Sequence, residues 1–275
     1  MKIVTANGAH IPAIGFGTYG MARDEMLRMI PAALDAGFRH IDTAQIYRNE
    51  AEVGECVAAS GIPRAELFLT TKVWVSNYGR RAFAPSVEES LRRLRTDHID
   101  LLLLHWPAGS DVPLAEQIGS LNEVARSGKV RHIGVSNFNR ALLRQAVKLS
   151  NAPLVTNQFE YHPFLDQSVL IEATREAGMA VTAYCGMSVG RVFSEPVLLQ
   201  IAANHGRSVA QVVLRWLVQQ HQVVALSRTT RPDRVAENLA ISDFELGPHE
   251  MDGIAALARP NSRIVSPPVL SPAWD

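Results

Sequence analysis

The feature that most constrains the fold is an alternation of strand and helix that repeats eight times along the chain. The predicted strands are short and rich in Val, Ile or Leu, and Leu101–Leu104 is apolar on both faces, which is typical of strands buried from both sides. They cover residues 13–17, 39–43, 67–72, 99–105, 132–136, 154–158, 180–184 and 223–227. The helices predicted between and after them cover 24–36, 49–60, 82–94, 113–126, 139–149, 168–177, 208–220 and 232–241. Eight such units in 275 residues, with no linker, predict an α/β fold of the (β/α)8 TIM-barrel type.

Four additions complete this prediction. Asn7-Gly8 between two short strands is typical of an N-terminal β-hairpin. Two extra helices are expected at 196–205 and 248–258. The tail from Arg259 to Asp275 contains Trp274, and we expect an ordered loop over the active-site face. With no domain boundary in the pattern, we expect residues 1–275 to form one domain.

Several helix ends carry recognisable signals. Gly37, Gly61, Gly128 and Gly178 each follow a predicted helix, as a C-terminal capping glycine does. Asn49, with Glu52 three residues later, predicts a capping box at the start of the second helix.

The composition excludes several classes of function. Lys+Arg and Asp+Glu both number 27, so no net charge would attract nucleic acid or an anionic membrane. The amino terminus has no apolar signal region, and no apolar run approaches the length of a membrane span. The two cysteines are far apart and lack metal-ligand spacing, which is typical of a reducing cytoplasm, and we expect a cytoplasmic protein.

A Rossmann fold is the alternative architecture. Gly15, Gly17 and Gly20 match the dinucleotide-binding pattern after a strand, with Asp42 at the position of a ribose-binding acid. However, the third glycine does not enter the helix directly, and the βα pattern continues through eight units. No Tyr-x-x-x-Lys occurs in the sequence, so the barrel is preferred.

Polar residues end three successive predicted strands, on the face where barrels carry their active sites. These are Asp42, Lys72 and His105, and Tyr47 lies on the loop after Asp42. An ammonium beside a phenol lowers its pKa and makes it a better proton donor, a carboxylate keeps that ammonium charged, and an imidazole can orient a carbonyl. The four residues predict proton transfer to a polarised C=O, with Tyr47 as the general acid. Metal-dependent hydrolysis is a weaker alternative, because the nine histidines form neither His-x-His nor His-Glu-x-x-His.

Five segments spread over nearly the whole chain resemble the hallmarks of the aldo-keto reductase family. They are GFRHIDTAQIYRNEAEVG, LFLTTKVW, IDLLLLHWP, GKVRHIGVSNF and VTNQFEYHP. The resemblance implies a (β/α)8 barrel that binds NADP(H) without a Rossmann fold and passes hydride to aldehydes and ketones. Asp42, Tyr47, Lys72 and His105 match the catalytic four of that family.

The resemblance also implies a cofactor site. Ser136, Asn137 and Gln158 match residues that hold the nicotinamide carboxamide, and Tyr184 matches the aromatic that stacks on the nicotinamide ring. The adenosine end is matched by Arg228, Thr229, Arg234, Glu237 and Asn238. Two guanidiniums and a hydroxyl near a helix start favour a phosphate monoester, which predicts a preference for NADP(H) over NAD(H).

Two departures from the family pattern concern the loops. Cys185-Gly186-Met187 stand where the family usually has Ser-Pro-Leu in the loop that helps to clasp the pyrophosphate. The segment Ala108–Val112 after the fourth strand is short, which predicts a shallow or open substrate pocket. We expect that pocket to be walled by aromatic side chains, namely Tyr19, Trp74, Trp106 and Trp274.

The leading functional hypothesis is therefore an NADPH-dependent reductase of small aldehydes and ketones that acts on a small-molecule carbonyl substrate as a monomer, with no nucleic acid, membrane or metal. A nucleotide-sensing regulatory module on the same barrel is the alternative. The presence of all four catalytic positions favours the enzyme.

Overall fold

The computed structural model describes residues 2–275 of the chain. Eight parallel strands close into a barrel in which each strand pairs with the next along the chain and the last pairs with the first, which confirms the predicted (β/α)8 fold. The hairpin strands are β1 (Ile3–Ala6) and β2 (Ala9–Pro12). The barrel strands are β3 (Ile14–Gly17), β4 (His40–Asp42), β5 (Phe68–Val73), β6 (Ile99–Leu104), β7 (Val130–Ser136), β8 (Leu154–Glu160), β9 (Ala180–Tyr184) and β10 (Val223–Ser227).

The helices surround this barrel, and two of them, Pro196–His205 and Pro248–Ala255, lie outside the repeating unit as predicted. Their bounds are α1 (Arg23–Ala36), α2 (Glu50–Ala59), α3 (Arg80–Leu94), α4 (Leu114–Arg126), α5 (Arg140–Leu149), α6 (Ser168–Glu176), α7 (Pro196–His205), α8 (Val209–Gln219), α9 (Asp233–Leu239) and α10 (Pro248–Ala255). Every residue of β5, β6 and β8 is buried, because the helices cover the outer face and side chains fill the inner one.

The N-terminal hairpin lies at the end of the barrel where the strands begin. Asn7 and Gly8 form its turn with φ of 45° and 86°, and Ala6 pairs with Ala9 across it. The Asn7 side-chain amide donates to the carbonyl of Leu154, at the start of β8, at 2.7 Å. The hairpin therefore lies opposite the face on which the strands end.

The capping-box prediction for α2 is wrong. Asn49 makes no side-chain capping bond to its helix. Instead its Oδ1 accepts from the Thr43 hydroxyl at 2.7 Å and its Nδ2 donates to the Thr18 carbonyl at 2.9 Å. Asn49 thus ties the loop after β4 to the loop after β3, a contact that no local pattern reveals. The predicted terminal glycines, in contrast, are all left-handed, with φ of 107° at Gly37 and 69° at Gly61.

The glycine pattern near the amino terminus has a packing role in the barrel. A Cβ on Gly15 would lie 2.7 Å from Nδ1 of His40 and 2.9 Å from a Leu226 methyl. Gly15 therefore allows β3 to approach the side chains of the neighbouring strands, and the Rossmann alternative does not hold.

The C-terminal tail lies over the face where the strands end, as predicted. The buried carboxylate of Glu160, the last residue of β8, accepts from the backbone amides of Ile264 at 2.8 Å and Val265 at 2.7 Å. Farther along, Asn139 donates to the Ala273 carbonyl at 2.7 Å. The tail is thus held at both ends over the mouth of the barrel.

Candidate active site

The ends of three adjacent strands bring together the predicted carboxylate, ammonium and imidazole. Asp42 is the last residue of β4, Lys72 lies near the end of β5, and His105 follows β6 directly. Strand β5 pairs with β4 on one side and β6 on the other, with all strands parallel. Because parallel strands end at the same edge, the three side chains share one face of the barrel.

Lys72 and Asp42 form a buried ion pair. The Lys72 ammonium donates to Asp42 Oδ1 at 2.5 Å and to the Thr43 carbonyl at 2.8 Å, and neither residue is appreciably exposed. Burial lowers the pKa of Lys72, while the carboxylate of Asp42 opposes that shift. The other carboxylate oxygen of Asp42 accepts from the Gln158 side-chain amide at 2.8 Å.

Tyr47 ends a one-turn 3-10 segment, Gln45–Tyr47, that connects β4 to α2. Its ring lies 5.0 Å from the Lys72 ammonium and makes edge contacts with His105 at 5.6 Å and Tyr19 at 5.1 Å between centroids. Desolvation of the phenol raises the pKa of Tyr47 well above its ordinary value, and the Asp42 carboxylate raises it further. The net shift is therefore upward, opposite to the lowered pKa expected from the ammonium of Lys72, because desolvation and the Asp42 carboxylate raise the pKa.

His105 is buried between the aromatic rings of Tyr47 and Trp74. Its ring lies 5.3 Å from that of Trp74 in an edge-on contact. Burial lowers the pKa of His105 well below its ordinary value, and the nearby charge of Lys72 lowers it further. The imidazole is therefore neutral at physiological pH, and one of its nitrogens can donate a hydrogen bond to a substrate oxygen.

The polar residues predicted to hold a nicotinamide carboxamide lie side by side at the ends of β7 and β8. The Ser136 hydroxyl donates to the Gln158 carbonyl at 2.8 Å, and Asn137 donates to the His105 carbonyl at 3.0 Å. The Tyr184 hydroxyl donates to Asn137 Oδ1 at 2.7 Å. Asn137 is left-handed, with φ of 64°. Gln158 touches Asp42 and Asn137 touches His105, so this group is continuous with the four residues above.

The residues predicted for an adenosine site lie between the end of β10 and α9. Arg228 donates from Nε to the Tyr19 carbonyl at 2.7 Å, and Arg234 pairs with Glu237 at 3.2 Å. Thr229 accepts from the Arg231 amide at 3.1 Å. Asn238 donates to the Ser227 hydroxyl at 3.1 Å, and its buried Oδ1 has no partner among residues 2–275. A free buried acceptor and two partly exposed guanidiniums fit a purine nucleotide that carries a phosphate.

The four predicted aromatic residues all reach this face of the barrel. Tyr19 is 69% exposed and packs on Tyr47, and Trp74 packs on His105. Trp106 is buried and contacts Trp274 of the tail, with 6.5 Å between ring centroids. Tyr19 and Trp74 thus touch the catalytic candidates directly, whereas Trp106 and Trp274 form an adjacent wall.

Two functional neighbours escaped the sequence analysis. Gln45 precedes Tyr47 by two residues, and its side chain is hydrogen-bonded to helix α3 and to the loop after β5. Glu160 holds the tail. The signal for Glu160 was a carboxylate at the end of an apolar strand, but its partners lie about a hundred positions away in the sequence.

The loop that departs from the family pattern has an unusual backbone. Cys185, Ser188, Val189 and Gly190 all have positive φ, from 47° to 91°.

No helix within residues 2–275 is long and apolar enough to cross a bilayer. In the same residues no three His, Cys, Asp or Glu side chains come together as a metal site would require.

Comparison with known proteins agrees with this geometry. The model of the Aldo/keto reductase family matches residues 13–259. Methylglyoxal reductase DkgB of Salmonella typhimurium is 40% identical over 267 residues, covering 96% of this chain and 99% of that protein. A solved structure of a putative 2,5-diketo-D-gluconic acid reductase B is 58% identical, covers 100% of this chain and 98% of that one, and superposes with a TM-score of 0.99. An aldo-keto reductase of Bombyx mori, solved in complex with NADP, is 32% identical with a TM-score of 0.88, over 94% of this chain and 92% of that one.

The fold and the match over almost the entire chain define an NADP(H)-dependent oxidoreductase on a (β/α)8 barrel. The chain belongs to the aldo-keto reductase family. It is an enzyme that reduces carbonyl groups with NADPH, and nothing in the comparisons favours the regulatory-module alternative.

Proposed function

We propose that Tyr47 is the general acid of this reductase and that Asp42, Lys72 and His105 prepare it and its substrate. The observation that carries the proposal is the contact of Tyr47 with both Lys72 and His105 beside the buried Lys72–Asp42 pair. The raised pKa keeps the phenol protonated at neutral pH, so that it has a proton to give.

The charges around Tyr47 then stabilise the product of proton transfer. When the phenol gives up its proton to the carbonyl oxygen, the resulting phenolate lies beside the Lys72 ammonium, whose burial limits screening of the attraction by water. Asp42 and the Thr43 carbonyl fix that ammonium in place. Neutral His105 donates a hydrogen bond to the same carbonyl oxygen and orients it toward Tyr47.

The cofactor is assigned to the residues at the ends of β7, β8, β9 and β10 and to those of α9. NADPH supplies the hydride when it is bound. We assign its carboxamide to Ser136, Asn137 and Gln158, and its nicotinamide face to Tyr184. The adenosine and its 2′-phosphate are assigned to Arg228, Thr229, Arg234, Glu237 and Asn238. The free Oδ1 of Asn238 and the partly exposed guanidiniums support this assignment.

The substrates we propose are small dicarbonyl compounds, 2-oxoaldehydes and keto sugar acids. Two of the relatives are named for methylglyoxal and for 2,5-diketo-D-gluconic acid. The pocket walls proposed here are Tyr19, Trp74, Trp106 and Trp274. We expect the short segment 108–112 to make this pocket shallow, which suits a small polar substrate better than a large apolar one.

The test combines a substrate panel with one substitution. NADPH absorbance is followed with methylglyoxal, a diketo sugar acid, a simple aldehyde and a simple ketone. We expect the dicarbonyls to give the highest kcat/KM. Tyr47→Phe should lose at least 100-fold in kcat while NADPH affinity stays close to wild type, because general acid catalysis contributes about 10²–10⁴-fold. A loss below tenfold would remove Tyr47 from this role.

We further propose that the chain acts as a cytoplasmic monomer and that residues 1–275 form one domain. The two free cysteines support the cytoplasmic compartment, and the pairing of β3 with β10 across the chain supports the single domain. Size-exclusion chromatography with light scattering measures the mass of the protein in solution and so tests the monomer. A single unfolding transition is expected if the chain forms one domain. Cell fractionation tests the compartment.

A further inference from the structure

We propose that Gln45 is a positioning residue that fixes the turn of Tyr47 and the wall residue Trp74 in one geometry. Gln45 is the first residue of the 3-10 turn that ends at Tyr47, and its side chain is hydrogen-bonded to helix α3 and to the loop after β5. This inference rests on the proposed role of Tyr47 as the general acid.

The donor end of the Gln45 amide ties the turn to helix α3. Nε2 donates to the Ser86 carbonyl at 3.2 Å, the Ser86 hydroxyl at 3.1 Å and the Ser90 hydroxyl at 3.2 Å. The Ser86 hydroxyl itself donates to the Phe83 carbonyl at 2.8 Å, so it has only a lone pair to offer Gln45. Its lone pair therefore fixes which end of the amide faces α3.

The acceptor end of the same amide holds the loop after β5. Oε1 accepts from the backbone N–H of Trp74 at 2.9 Å and from Nδ2 of Asn77 at 2.9 Å. Exchanging the amide oxygen and nitrogen would set donor against donor at Trp74 and acceptor against acceptor at Ser86. Only one orientation of Gln45 therefore satisfies both ends.

Tyr47 and Trp74, which Gln45 holds, are the residues that contact the imidazole of His105. Tyr47 packs on one edge of His105 with 5.6 Å between ring centroids, and Trp74 packs on it at 5.3 Å. The turn has only three residues, so its backbone bonds, Tyr47 N to Ala44 O at 3.0 Å and Arg48 N to Gln45 O at 3.2 Å, cannot set its tilt relative to α3. The Gln45 side chain supplies that constraint, and displacement of a reacting group by about 1 Å can cost about 100-fold in rate.

A control residue with the same chemistry lies elsewhere in the molecule. Gln219 ends helix α8, is half-buried like Gln45, and also uses both ends of its amide. It donates to the Leu246 carbonyl at 2.7 Å and accepts from the Leu246 amide at 3.0 Å and from Arg215 at 2.9 Å. Helix α8 leads into the start of β10, so Gln219 lies at the end of the barrel remote from the site.

The experiment compares Gln45→Met, Gln45→Glu, Gln219→Met and Tyr47→Phe in carbonyl reduction, NADPH binding and thermal unfolding. Gln45→Met should lower kcat by about 10–100-fold and raise the substrate KM, with NADPH affinity within about twofold of wild type. Gln45→Glu keeps the acceptor for Trp74 but loses the amide donors to α3, so its KM should stay near wild type while kcat falls. Gln219→Met should lower the unfolding temperature without changing kcat or KM.

Each other outcome overturns a distinct part of the argument. A Gln45→Met enzyme with kcat/KM within threefold of wild type overturns the positioning role. A loss of activity that is matched by an equal loss of NADPH affinity also overturns it. A loss matched by Gln219→Met would assign the effect to general destabilisation and also overturns it. If Tyr47→Phe keeps its activity, the proposed function fails instead, and this result is distinct from the others.

Discussion

Lys72 is the residue whose charge the site depends on, and its removal has a predictable sign. Lys72→Met would leave the Asp42 carboxylate unpaired close to the phenol, which raises the pKa of Tyr47 further and destabilises the phenolate formed on proton transfer. We expect kcat to fall by more than 100-fold and the alkaline limb of the pH–rate profile to move upward.

The matched comparisons for this prediction are Asp42→Asn and Lys129→Met. Asp42→Asn should act more mildly, because it only loosens the ammonium. Lys129 is a surface lysine paired with Glu88, and its substitution should leave the profile unchanged. If neither Lys72→Met nor Asp42→Asn alters the pH dependence, the lysine has only a structural role.

Arg228 gives a second prediction at the residue scale. Each charge-assisted hydrogen bond to a phosphate is worth about 1.5–3 kcal/mol, so Arg228→Ala should weaken NADPH binding by about 10–100-fold and NADH binding little. Arg231, three positions farther along the chain, pairs with Asp233 at 2.6 Å, so Arg231→Ala is the control and should have a small effect. Fluorescence titrations at low and high salt measure both, and added salt should reduce the wild-type preference. Equal wild-type affinity for the two nucleotides at low salt would refute the assignment.

At the scale of elements, the C-terminal tail depends on one buried carboxylate. Burial alone would raise the pKa of Glu160, but hydrogen bonds from His162 and from the Val265 and Ile264 amides outweigh it and lower that pKa. Glu160→Gln removes an acceptor from this set and places an amide donor against a donor. We expect faster proteolysis of the tail and a higher substrate KM, since Trp274 is carried by the tail.

The control for the tail is Glu176→Gln, at a surface pair with Arg144. Its proteolysis and KM should match wild type. Tail cleavage at the wild-type rate in Glu160→Gln would show that the other contacts, such as Asn139 with Ala273, are sufficient.

Whether an element can be predicted from the sequence depends on how far apart along the chain its interacting residues lie. Strand β6 was predictable because its apolar run is a local property of the chain. The catalytic candidates followed from strand ends, since a parallel barrel gathers them on one face. Asn49 and Gln45 were not predictable in the same way, because their partners belong to other loops and helices. Asn49 carries a capping signal that tertiary bonds override.

For the molecule as a whole, buried histidines predict how stability depends on pH. Burial lowers the pKa of His40 to about 4. In the unfolded chain the same side chain titrates near its ordinary value of 6.5. Between these values the unfolded state binds more protons, so stability is fully present above pH 6.5 and is lost as the pH falls toward 4.

This difference in pKa between the folded and unfolded states corresponds to on the order of 3 kcal/mol for His40 alone. The unfolding free energy, measured with urea, should therefore fall less between pH 7.5 and pH 5 for His40→Gln than for wild type. The exposed His249 provides the control, and His249→Gln should keep the wild-type difference. A difference unchanged in His40→Gln would contradict the prediction.

The pairing of β10 with β3 has a consequence for how the chain is made. Ala225 pairs with Ile14 and Ser227 with Phe16, so the first and last strands of the barrel meet. A growing chain releases β3 early and holds it with an open edge until β10 has left the ribosome. Such distant pairings form slowly, and open strand edges attract strands of other chains. We therefore expect translation that stops before Val223 to yield an aggregating product, because seven strands leave the edges of β3 and β9 uncovered.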